Sequence, residues 1–500
     1  MKLLTNIETF GAVDADSDDY LLDCFEDHNA YKHVLERKRY LVVGRKGAGK
    51  TAIFKKLITT KEPSVFSFGH TFMDYPWHYH DRQARIGIPD RDKYTHSWQY
   101  LILLTLSKII LNKDNSLPYN DSSMEKMVKI EKFVVDSYGT KDPDVTQVFS
   151  PGKMLRLRPN IEFNIAEIVK MGIAPEQVPI EYLPVIVQEV NTNLLGYILE
   201  VLNPENSYFV CFDQLDLGFE PGNPDYTSRL IGLILAARYI NQKAKEAGKK
   251  LFITVFLRDD IYNDLRFEDK NKITENNVSV IEWDTSRTEY TLKRLMEKRF
   301  KATIGENIAD VNWEQVFDEK NQMPSRQSKY QHIINRTFLR PRDIIRFCNA
   351  ILGTAKKRIA AGPNTEELFL NEDIHKSRES YSSYFVKEID DEIHKHIPNY
   401  RNYFEIFKSI GVYRFSLEQF LSEYEKRKSS CPEIKDPIEI LKKLYEFSVV
   451  AYYKAGGRGF GGSGYVSKYE NPDDDFDNTA KMFQVHPGLI ETLGLKIYEK

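Results

Sequence analysis

The chain has 500 residues, of which 41% are hydrophobic and 29% charged, a composition typical of a soluble globular protein with about three domains. Its 70 Lys and Arg residues against 73 Asp and Glu residues give a net charge of −3, which argues against wholesale electrostatic binding to nucleic acid or to an anionic membrane; only a local basic patch stays open. No apolar run approaches the ~20 residues of a membrane-spanning helix, and Met1 to Phe10 lacks the apolar core of a signal peptide, so we expect a cytoplasmic protein with no membrane partner.

Cysteine and histidine positions give little indication of a metal site. The four cysteines are far apart and lack C-x-x-C spacing, which predicts reduced thiols: Cys24, Cys211, Cys348 and Cys431. Four histidines lie in one part of the sequence: His70, His78, His80 and His96. The stretch Trp77 to Asp81 (WHYHD) could hold a metal, but nothing there repeats the spacing of a known ligand pair.

Residues 1–36 are predicted to form a leader segment before the first domain. Its first half is acidic: Asp14, Asp16, Asp18 and Asp19. Its second half favours a helix from Leu21 to about Arg37.

A strand, a glycine-rich loop and a helix follow in that order. Tyr40 to Val43 is a short apolar run that suits a buried strand, and Ala52 to Leu57 continues as a helix. Between them, Gly44 to Thr51 (GRKGAGKT) fits G-x-x-x-x-G-K-[ST] without a mismatch. The sequence therefore predicts a phosphate-binding loop, or P-loop, in the structural context that this motif requires.

The chemistry of a P-loop explains its residue types. Glycines let successive backbone N–H groups turn toward phosphate oxygens, and the N-terminus of the next helix adds a partial positive charge. Lys50 is expected to reach the β- and γ-phosphates, and the Thr51 hydroxyl to ligate Mg²⁺. The predicted nucleotide contacts of the loop and first helical turn are Gly44, Gly47, Ala48, Gly49, Lys50, Thr51 and Ala52. We expect the leader segment to lie beside this nucleotide or to cover its adenine.

The next 163 residues exceed what a parallel crossover needs, so an insertion is expected before the second motif. Ser64 to Phe68 predicts a strand, Trp98 to Leu111 an apolar helix and Pro184 to Leu202 a further helix. The insertion is placed at about 112–179. Its basic run favours either a solvated surface or a partner or nucleic-acid contact: Lys153, Arg156 and Arg158.

The second motif is an apolar run that ends in carboxylates. Tyr208 to Phe212 predicts a buried strand that delivers Asp213 to the carboxyl edge of a parallel sheet, where it would ligate Mg²⁺. The next residue is Gln214, where many ATPases of the additional-strand class carry a catalytic glutamate. Asp216 is the nearest alternative acid and could orient or deprotonate the attacking water.

A further strand is predicted from Leu251 to Leu257, after a helix at about 227–247. It brings Arg258 to the same edge of the sheet, where this side chain could sense the γ-phosphate. The alternative is a salt bridge from Arg258 to Asp259 or Asp260. A last strand at 278–283 and a helix at 287–300 complete the predicted core.

A helical lid is predicted at 286–380. Thr337 to Leu352 places Pro341 at a helix start, where its missing N–H is tolerated. Arg342 and Arg346 follow one turn apart, so Arg342 could read the phosphates with Pro341 near the base. The alternative is a pair of solvent-facing arginines with Asp343.

Residues 381–500 predict a winged-helix-like unit. Helices are expected at 403–410, 416–426 and 437–447, with Ser416 as an N-cap, and strands at 449–454 and 465–469 flank a glycine-rich loop. Residues 401–500 contain fifteen basic and fifteen acidic side chains, which is not the footprint of a typical duplex-binding module. An intramolecular or protein-facing role is therefore favoured.

The order GRKGAGKT, FDQLD, VFLRDD, EWDTSRTEYTLKRLMEKR and FLRPRDIIRFCNA resembles bacterial P-loop ATPases of the STAND and AAA-like group, in particular a set often found beside phage-defence genes. The resemblance covers about residues 20–360. It implies an ATPase core, a helical lid and a winged helix that act as a molecular switch, which oligomerises or controls an effector. By this resemblance Lys50 and Thr51 would hold phosphate and Mg²⁺, Asp213 and Asp216 would serve Mg²⁺ and water, Arg258 would sense the γ-phosphate, and Pro341 with Arg342 would contact the nucleotide.

The predicted fold class is α/β: a P-loop NTPase parallel sheet at 37–285, with a helical insertion, the lid and the winged-helix domain. The favoured function is a slow ATP-hydrolysing regulatory switch with ATP or ADP and Mg²⁺ as ligands and a protein partner or a second copy as its reader. The alternative is a DNA-binding ATPase that resembles origin-recognition or transposition helper proteins. A metabolic kinase is the weaker third reading.

Overall fold

The computed structural model describes residues 3–71, 94–144, 183–216, 219, 222–285, 288–305, 310–362, 366–430, 436–456, 462–472 and 474–497. The WHYHD stretch, the basic run at 153–158 and Cys431 lie outside these residues. The chain forms two units. The sheet unit comprises Asp27–Arg45 and Lys50–Ile281, and the helical unit comprises Met1–Glu26, Lys46–Gly49 and Glu282–Lys500.

The sheet unit alternates strands and helices. In chain order its elements are α1 (Asn29–Leu35), β1 (Leu41–Gly44), α2 (Lys50–Thr59), β2 (Val65–Thr71), α3 (Thr95–Asn112), α4 (Asp121–Tyr138), α5 (Leu183–Val201), β3 (Ser207–Asp213), α6 (Pro224–Glu246), β4 (Lys250–Arg258), α7 (Asp259–Asp264), α8 (Lys270–Asn277) and β5 (Val278–Val280).

Five parallel strands form the sheet in the order β2-β3-β4-β1-β5. Strands β1, β3 and β4 are apolar along nearly their whole length because both faces of the sheet are covered. Strand β4 lies between β1 and β3, as in the additional-strand class. Gly44 pairs with Arg258 and Phe212 with Val255, so the carboxyl ends of these three strands are neighbours. The predicted α/β fold class with a P-loop parallel sheet is confirmed.

Four helices pack together in one part of this unit. Helix α3 packs against α5 and α6, and α4 packs against α3 and α5. Helix α4 lies in the described part of the predicted insertion, residues 112–144. Although 13 of the 18 residues of α3 are buried and mostly apolar, within the described ranges no helix is both long enough and apolar enough to cross a membrane.

The helical unit carries the remaining elements. They are α9 (Leu292–Ile304), α10 (Lys329–Ile334), α11 (Pro341–Ala361), α12 (Asn371–Ile393), α13 (Arg401–Ile410), β6 (Arg414–Ser416), α14 (Leu417–Arg427), α15 (Pro437–Glu446), β7 (Val450–Lys454), β8 (Gly464–Val466), β9 (Met482–Val485) and α16 (Ile490–Leu493). Helices α11 and α12 pack side by side, with the rings of Phe347 and Tyr381 stacked 4.2 Å apart.

The C-terminal part is winged-helix-like but contains more sheet than predicted. Its four antiparallel strands lie in the order β6-β9-β7-β8. Only β7 and β8 were predicted, and the predicted strand at 465–469 is shifted to Gly464–Val466. Ser416 caps α14 as predicted, since its hydroxyl accepts the N–H of Gln419 at 3.2 Å. Strands β6 and β9 have three and four residues, too few for a strand period to stand out.

The predicted leader helix is wrong in its first half. Only Asn29–Leu35 is helical, and the chain enters this helix through His28, whose Nδ1 accepts the N–H of Ala30 at 3.1 Å. The acidic half before it belongs to the helical unit, where the Arg299 guanidinium holds Asp18 at 2.6 Å and the Phe10 carbonyl at 2.8 Å. A buried arginine, rather than a helical period, therefore fixes this segment.

Two further boundaries differ from the prediction. Strand β5 ends at Val280 rather than at 283. Helix α9 starts at Leu292 because the Thr291 hydroxyl caps it, and it runs on to Ile304 rather than ending at 300.

The buried His332 of α10 predicts an acid-sensitive stability of the helical unit. Burial, followed by Arg336, Arg378 and His375, lowers the pKa of His332 to about 2. The unfolded chain binds a proton there below pH ~6.5 while the native chain does not, so stability falls by up to ~1.4 kcal/mol per pH unit below that point. We expect His332→Gln to flatten the decline in urea-unfolding free energy between pH 7 and pH 5.5. An equal decline in His332→Gln and in the exposed-site control His394→Gln would contradict this.

Candidate functional site

The P-loop joins β1 to α2 through backbone conformations that glycine permits. Gly47 has φ +79° and Gly49 has φ +110°, both in a region that side chains disfavour. Strand β1 ends at Gly44 and α2 begins at Lys50, so the free N–H groups of the first turn of α2 open at the end of the loop. This is the local geometry of an anion-binding helix N-terminus.

Lys50 is folded back onto its own loop. Its ammonium group donates to the Gly44 carbonyl at 2.7 Å and to the Arg45 carbonyl at 3.0 Å. Desolvation lowers the pKa of Lys50, and the carboxylates of Asp216, Asp259 and Asp213 act in the opposite direction. Lys50 thus places a positive charge at the carboxyl end of a parallel sheet, which is where ligands bind in open α/β folds.

Asp213 ends β3 with only 2% of its surface exposed. Burial raises the pKa of this carboxyl group, and a hydrogen bond with the Thr51 side chain opposes that shift. Its Oδ2 is buried and has no hydrogen-bond partner within the described part of the chain. Mg²⁺ prefers hard oxygen ligands. The Thr51 hydroxyl and the carboxylate of Asp213 beside it are ligands of this type.

The residue after Asp213 departs from the usual ATPase arrangement. Gln214 takes φ +60°, an uncommon conformation for a residue other than glycine. Its buried Oε1 lacks a hydrogen-bond partner among the residues that the structure describes. An amide oxygen can accept a hydrogen bond from water, but it cannot take up a proton as a glutamate would.

Arg258 at the end of β4 is held by acids. Its Nε lies 3.0 Å from Asp260 Oδ1, and its Nη1 lies 3.4 Å from Asp216 Oδ2. The salt bridge to Asp260 is thus one of the two alternatives that the sequence left open. Because Asp216 forms an ion pair with Arg258, this ion pair must weaken before Asp216 can act as a base.

Three loop residues are held from within the helical unit. The Ala48 carbonyl accepts the indole N–H of Trp283 at 3.0 Å, and the Lys46 carbonyl accepts a hydrogen bond from Arg340 Nη1 at 2.7 Å. A Cβ at Gly47 would lie 3.0 Å from the Cβ of Arg342. Glycine is therefore required at this position by close approach as well as by φ.

Pro341 opens α11, as predicted, and Arg342 follows it. Arg342 Nη1 lies 3.1 Å from Glu388 of α12, and its Nε donates to the Val13 carbonyl at 3.1 Å. Arg346 lies over the ring of Tyr384, also in α12. The alternative of a solvent-facing pair with Asp343 is wrong.

Sequence reasoning missed Arg340, the most connected side chain of this region. It is 1% exposed and makes a bidentate ion pair with Asp343, both N–O distances being 2.9 Å. It also contacts Glu392 at 2.7 Å. Its position three residues before an aspartate across a helix start was the available signal.

The histidine group does not assemble in the described residues. His70 Nε2 lies 2.9 Å from the Thr105 hydroxyl, and His96 Nδ1 lies 3.2 Å from Gln99 Oε1. His78 and His80 lie outside the described residues, together with the rest of the WHYHD stretch.

Comparison with known proteins gives similarity at two levels. Residues 290–390 match the family described as the FunZ-associated C-terminal helical domain. This segment contains α9, α10, α11 and most of α12. Over 515 aligned positions the chain is 20% identical to the 80.3 kDa protein assigned to transposon gamma-delta in Escherichia coli (strain K12), covering 97% of this chain and 67% of that protein.

Two solved structures align along most of the chain. The Orc1 protein of Aeropyrum pernix in complex with DNA is 12% identical, with a TM-score of 0.36, over 95% of this chain and 94% of that one. Cdc6p of Pyrobaculum aerophilum is 10% identical, with a TM-score of 0.29, over 93% and 88%. The parallel strand order β2-β3-β4-β1-β5 defines the fold class of the sheet unit.

Proposed function

We propose that this chain is a slow ATP-binding and ATP-hydrolysing switch. The observation that carries the proposal is the combination of Lys50, Thr51 and Asp213 near the carboxyl ends of β1 and β3, the two strands that flank β4. A lysine and a helix N-terminus for phosphates, beside a hydroxyl and a buried carboxylate, is a donor set for a metal-bound nucleoside triphosphate.

Each loop residue has a distinct task in this proposal. Backbone N–H groups of Gly47, Ala48, Gly49 and Ala52 would cradle the phosphates after the turn at Gly44. Lys50 would exchange its two loop carbonyls for phosphate oxygens. Thr51 and Asp213 would hold Mg²⁺, which supplies charge neutralisation for the transferred phosphoryl group when bound.

We expect slow turnover because few of the described residues near the site can orient or deprotonate the attacking water. Gln214 can orient a water molecule but cannot deprotonate it, and Asp216 is engaged by Arg258. We assign Asp216 as the candidate base and Arg258 as the candidate γ-phosphate sensor, since one ion pair couples the two. Pro341 and Arg342 are the proposed nucleotide contacts of the lid. An ATPase that hydrolyses slowly remains in its ATP-bound state long enough to act as a signal.

The kind of partner is inferred from the charge of the winged-helix-like part and from the motif resemblance. Helix α15, the third helix of the winged-helix-like part, carries two acidic and two basic side chains: Glu439, Lys442, Lys443 and Glu446. Such a face suits a protein or a second copy of the chain better than a phosphate backbone. Control of an effector in antiviral defence is the setting that the resemblance suggests.

A DNA-binding ATPase is the second candidate. It is supported by the name of the E. coli relative, which is assigned to a transposon, and by the winged-helix-like arrangement of α13, α14 and α15. The balanced charge of 401–500 favours the switch over this candidate.

Asp216→Asn tests the assignment of the base. We expect ATP affinity near the wild-type value and turnover lowered by ~10²-fold, because an amide cannot accept the proton of the attacking water. Equilibrium binding and steady-state phosphate release with Mg²⁺ are the two measurements. Asp225→Asn, which changes an exposed aspartate nine residues later, should behave as wild type. An unaltered rate in Asp216→Asn would move the base elsewhere.

A further inference from the structure

The last turns of α12 carry three carboxylates that pair with basic groups of the loop and of α11. Glu388 binds Arg342 at 3.1 Å, and Glu392 binds Arg340 at 2.7 Å. Asp391 makes an ion pair with Lys46 in the P-loop itself. All these side chains belong to the helical unit. The cationic side of the loop is thus already occupied by anions of the protein.

Arg340 links these contacts to the backbone of the loop. Its Nη1 donates both to the Lys46 carbonyl and to Glu392, each at 2.7 Å. Burial alone would lower the pKa of Arg340, but Asp343 and Glu392 outweigh it and raise the pKa well above its usual value. The guanidinium group of Arg340 therefore links the end of α12 to the loop backbone at Lys46.

The acidic end of α12 is unfavourable by itself. Carboxylates at a helix C-terminus oppose the helix dipole, and Glu388 and Glu392 are like charges four residues apart. No basic residue lies in the last turn of this helix to offset them. The arrangement depends on Lys46, Arg340 and Arg342, and it weakens when one of these finds another anion.

We propose that the carboxylates of Glu388, Asp391 and Glu392 occupy Lys46, Arg340 and Arg342 as built-in competitors of the nucleotide phosphates, so that ATP binding releases the end of α12. This inference rests on the proposed function. Arg342, whose side chain is 21% exposed, exchanges its partner first, whereas the fully buried Arg340 keeps Asp343. The phosphates of the nucleotide thereby replace carboxylates of the protein as partners of these basic side chains.

The released segment leads directly to the winged-helix-like part. Asp390, in the same turn, accepts a hydrogen bond from the Tyr400 hydroxyl at 2.6 Å and from Arg401 at 3.1 Å. Tyr400 precedes α13, the first helix of that part. Movement of the last turn of α12 therefore changes the contacts at the start of α13, which gives the switch a route to its reader.

The first test is the affinity of the full chain for Mg²⁺ and ATP in Glu388→Gln. Removing the competing charge from Arg342 is expected to tighten ATP binding by roughly fivefold, the size of one partly exposed charge-assisted contact. Glu379→Gln is the matched control, since it removes an exposed carboxylate from the same helix. In an Arg342→Ala background, Glu388→Gln should no longer tighten binding, because the group that it frees is absent.

Amide hydrogen exchange of the wild-type chain is the second measurement and needs no variant. We expect protection at 388–393 to fall when ATP and Mg²⁺ are added, while the middle of α12 keeps its protection. Unchanged or increased protection at 388–393 with ATP bound would overturn the inference.

The outcomes separate the inference from the proposed function. If the wild-type chain binds no ATP, both are overturned. If it binds ATP with the same affinity in wild type, Glu388→Gln and Glu379→Gln, the competitor role of α12 is overturned and the ATP-binding assignment stands.

Discussion

Replacement of Lys50 by alanine is expected to abolish ATP binding at concentrations where the wild-type chain is saturated. Two charge-assisted hydrogen bonds to phosphate would be lost, which corresponds to a roughly 10²- to 10³-fold weaker affinity. The fold should persist, because the hydrogen bonds of Lys50 among the described residues go to the Gly44 and Arg45 carbonyls of its own loop. Titration with a fluorescent ATP analogue, with circular dichroism as the check of folding, measures both.

Lys56→Ala is the matched control for this substitution. Lys56 lies further along α2 and carries the same charge away from the loop. It should bind ATP as wild type does. Unchanged nucleotide affinity in a folded Lys50→Ala variant would contradict the assignment of 44–51 as the phosphate-binding loop.

Replacement of Arg340 by alanine is expected to produce the largest loss of stability in the helical unit. It would leave Asp343, which is 0% exposed, without the cation that it binds in a bidentate pair, and it would also remove the ion pair to Glu392. Breaking a buried ion pair by removing one partner costs about 3–5 kcal/mol. Urea unfolding followed by circular dichroism measures the loss.

Arg346→Ala provides the comparison for that loss. This arginine lies one helical turn and a half beyond Arg340, over the ring of Tyr384, where a cation–π contact contributes about 1 kcal/mol or less. Equal destabilisation by Arg340→Ala and Arg346→Ala would mean that the carboxylate cluster is not held by Arg340.

The sequence could predict the parts of the fold that local patterns determine. The strand, loop and helix around Gly44 to Thr51 each carry their own signal, and the strands ending at Asp213 and Arg258 are apolar runs that end in charge. Once the strands are parallel, their carboxyl ends meet at one edge. This rule predicts that Lys50 and Asp213 lie at the same edge of the sheet, without knowledge of any long-range contact.

Other features depend on partners distant in sequence. Asp18 is held by Arg299, and Glu388 by Arg342, through contacts across 281 and 46 residues that no local period predicts. The short strand β9 is recognisable only through its pairing with β6 and β7. Arg258 was ambiguous from sequence for a different reason: sensing phosphate and pairing with the nearby Asp260 both use the same side chain.

We propose a nucleotide-driven switch that does not need DNA. The most direct measurement is ATP turnover by the purified chain, alone and with duplex DNA titrated at two salt concentrations. We expect slow, Mg²⁺-dependent turnover that DNA leaves unchanged at either salt concentration. Stimulation by DNA that collapses at the higher salt concentration would contradict it and would favour a DNA-binding ATPase, because phosphate contacts weaken steeply with salt.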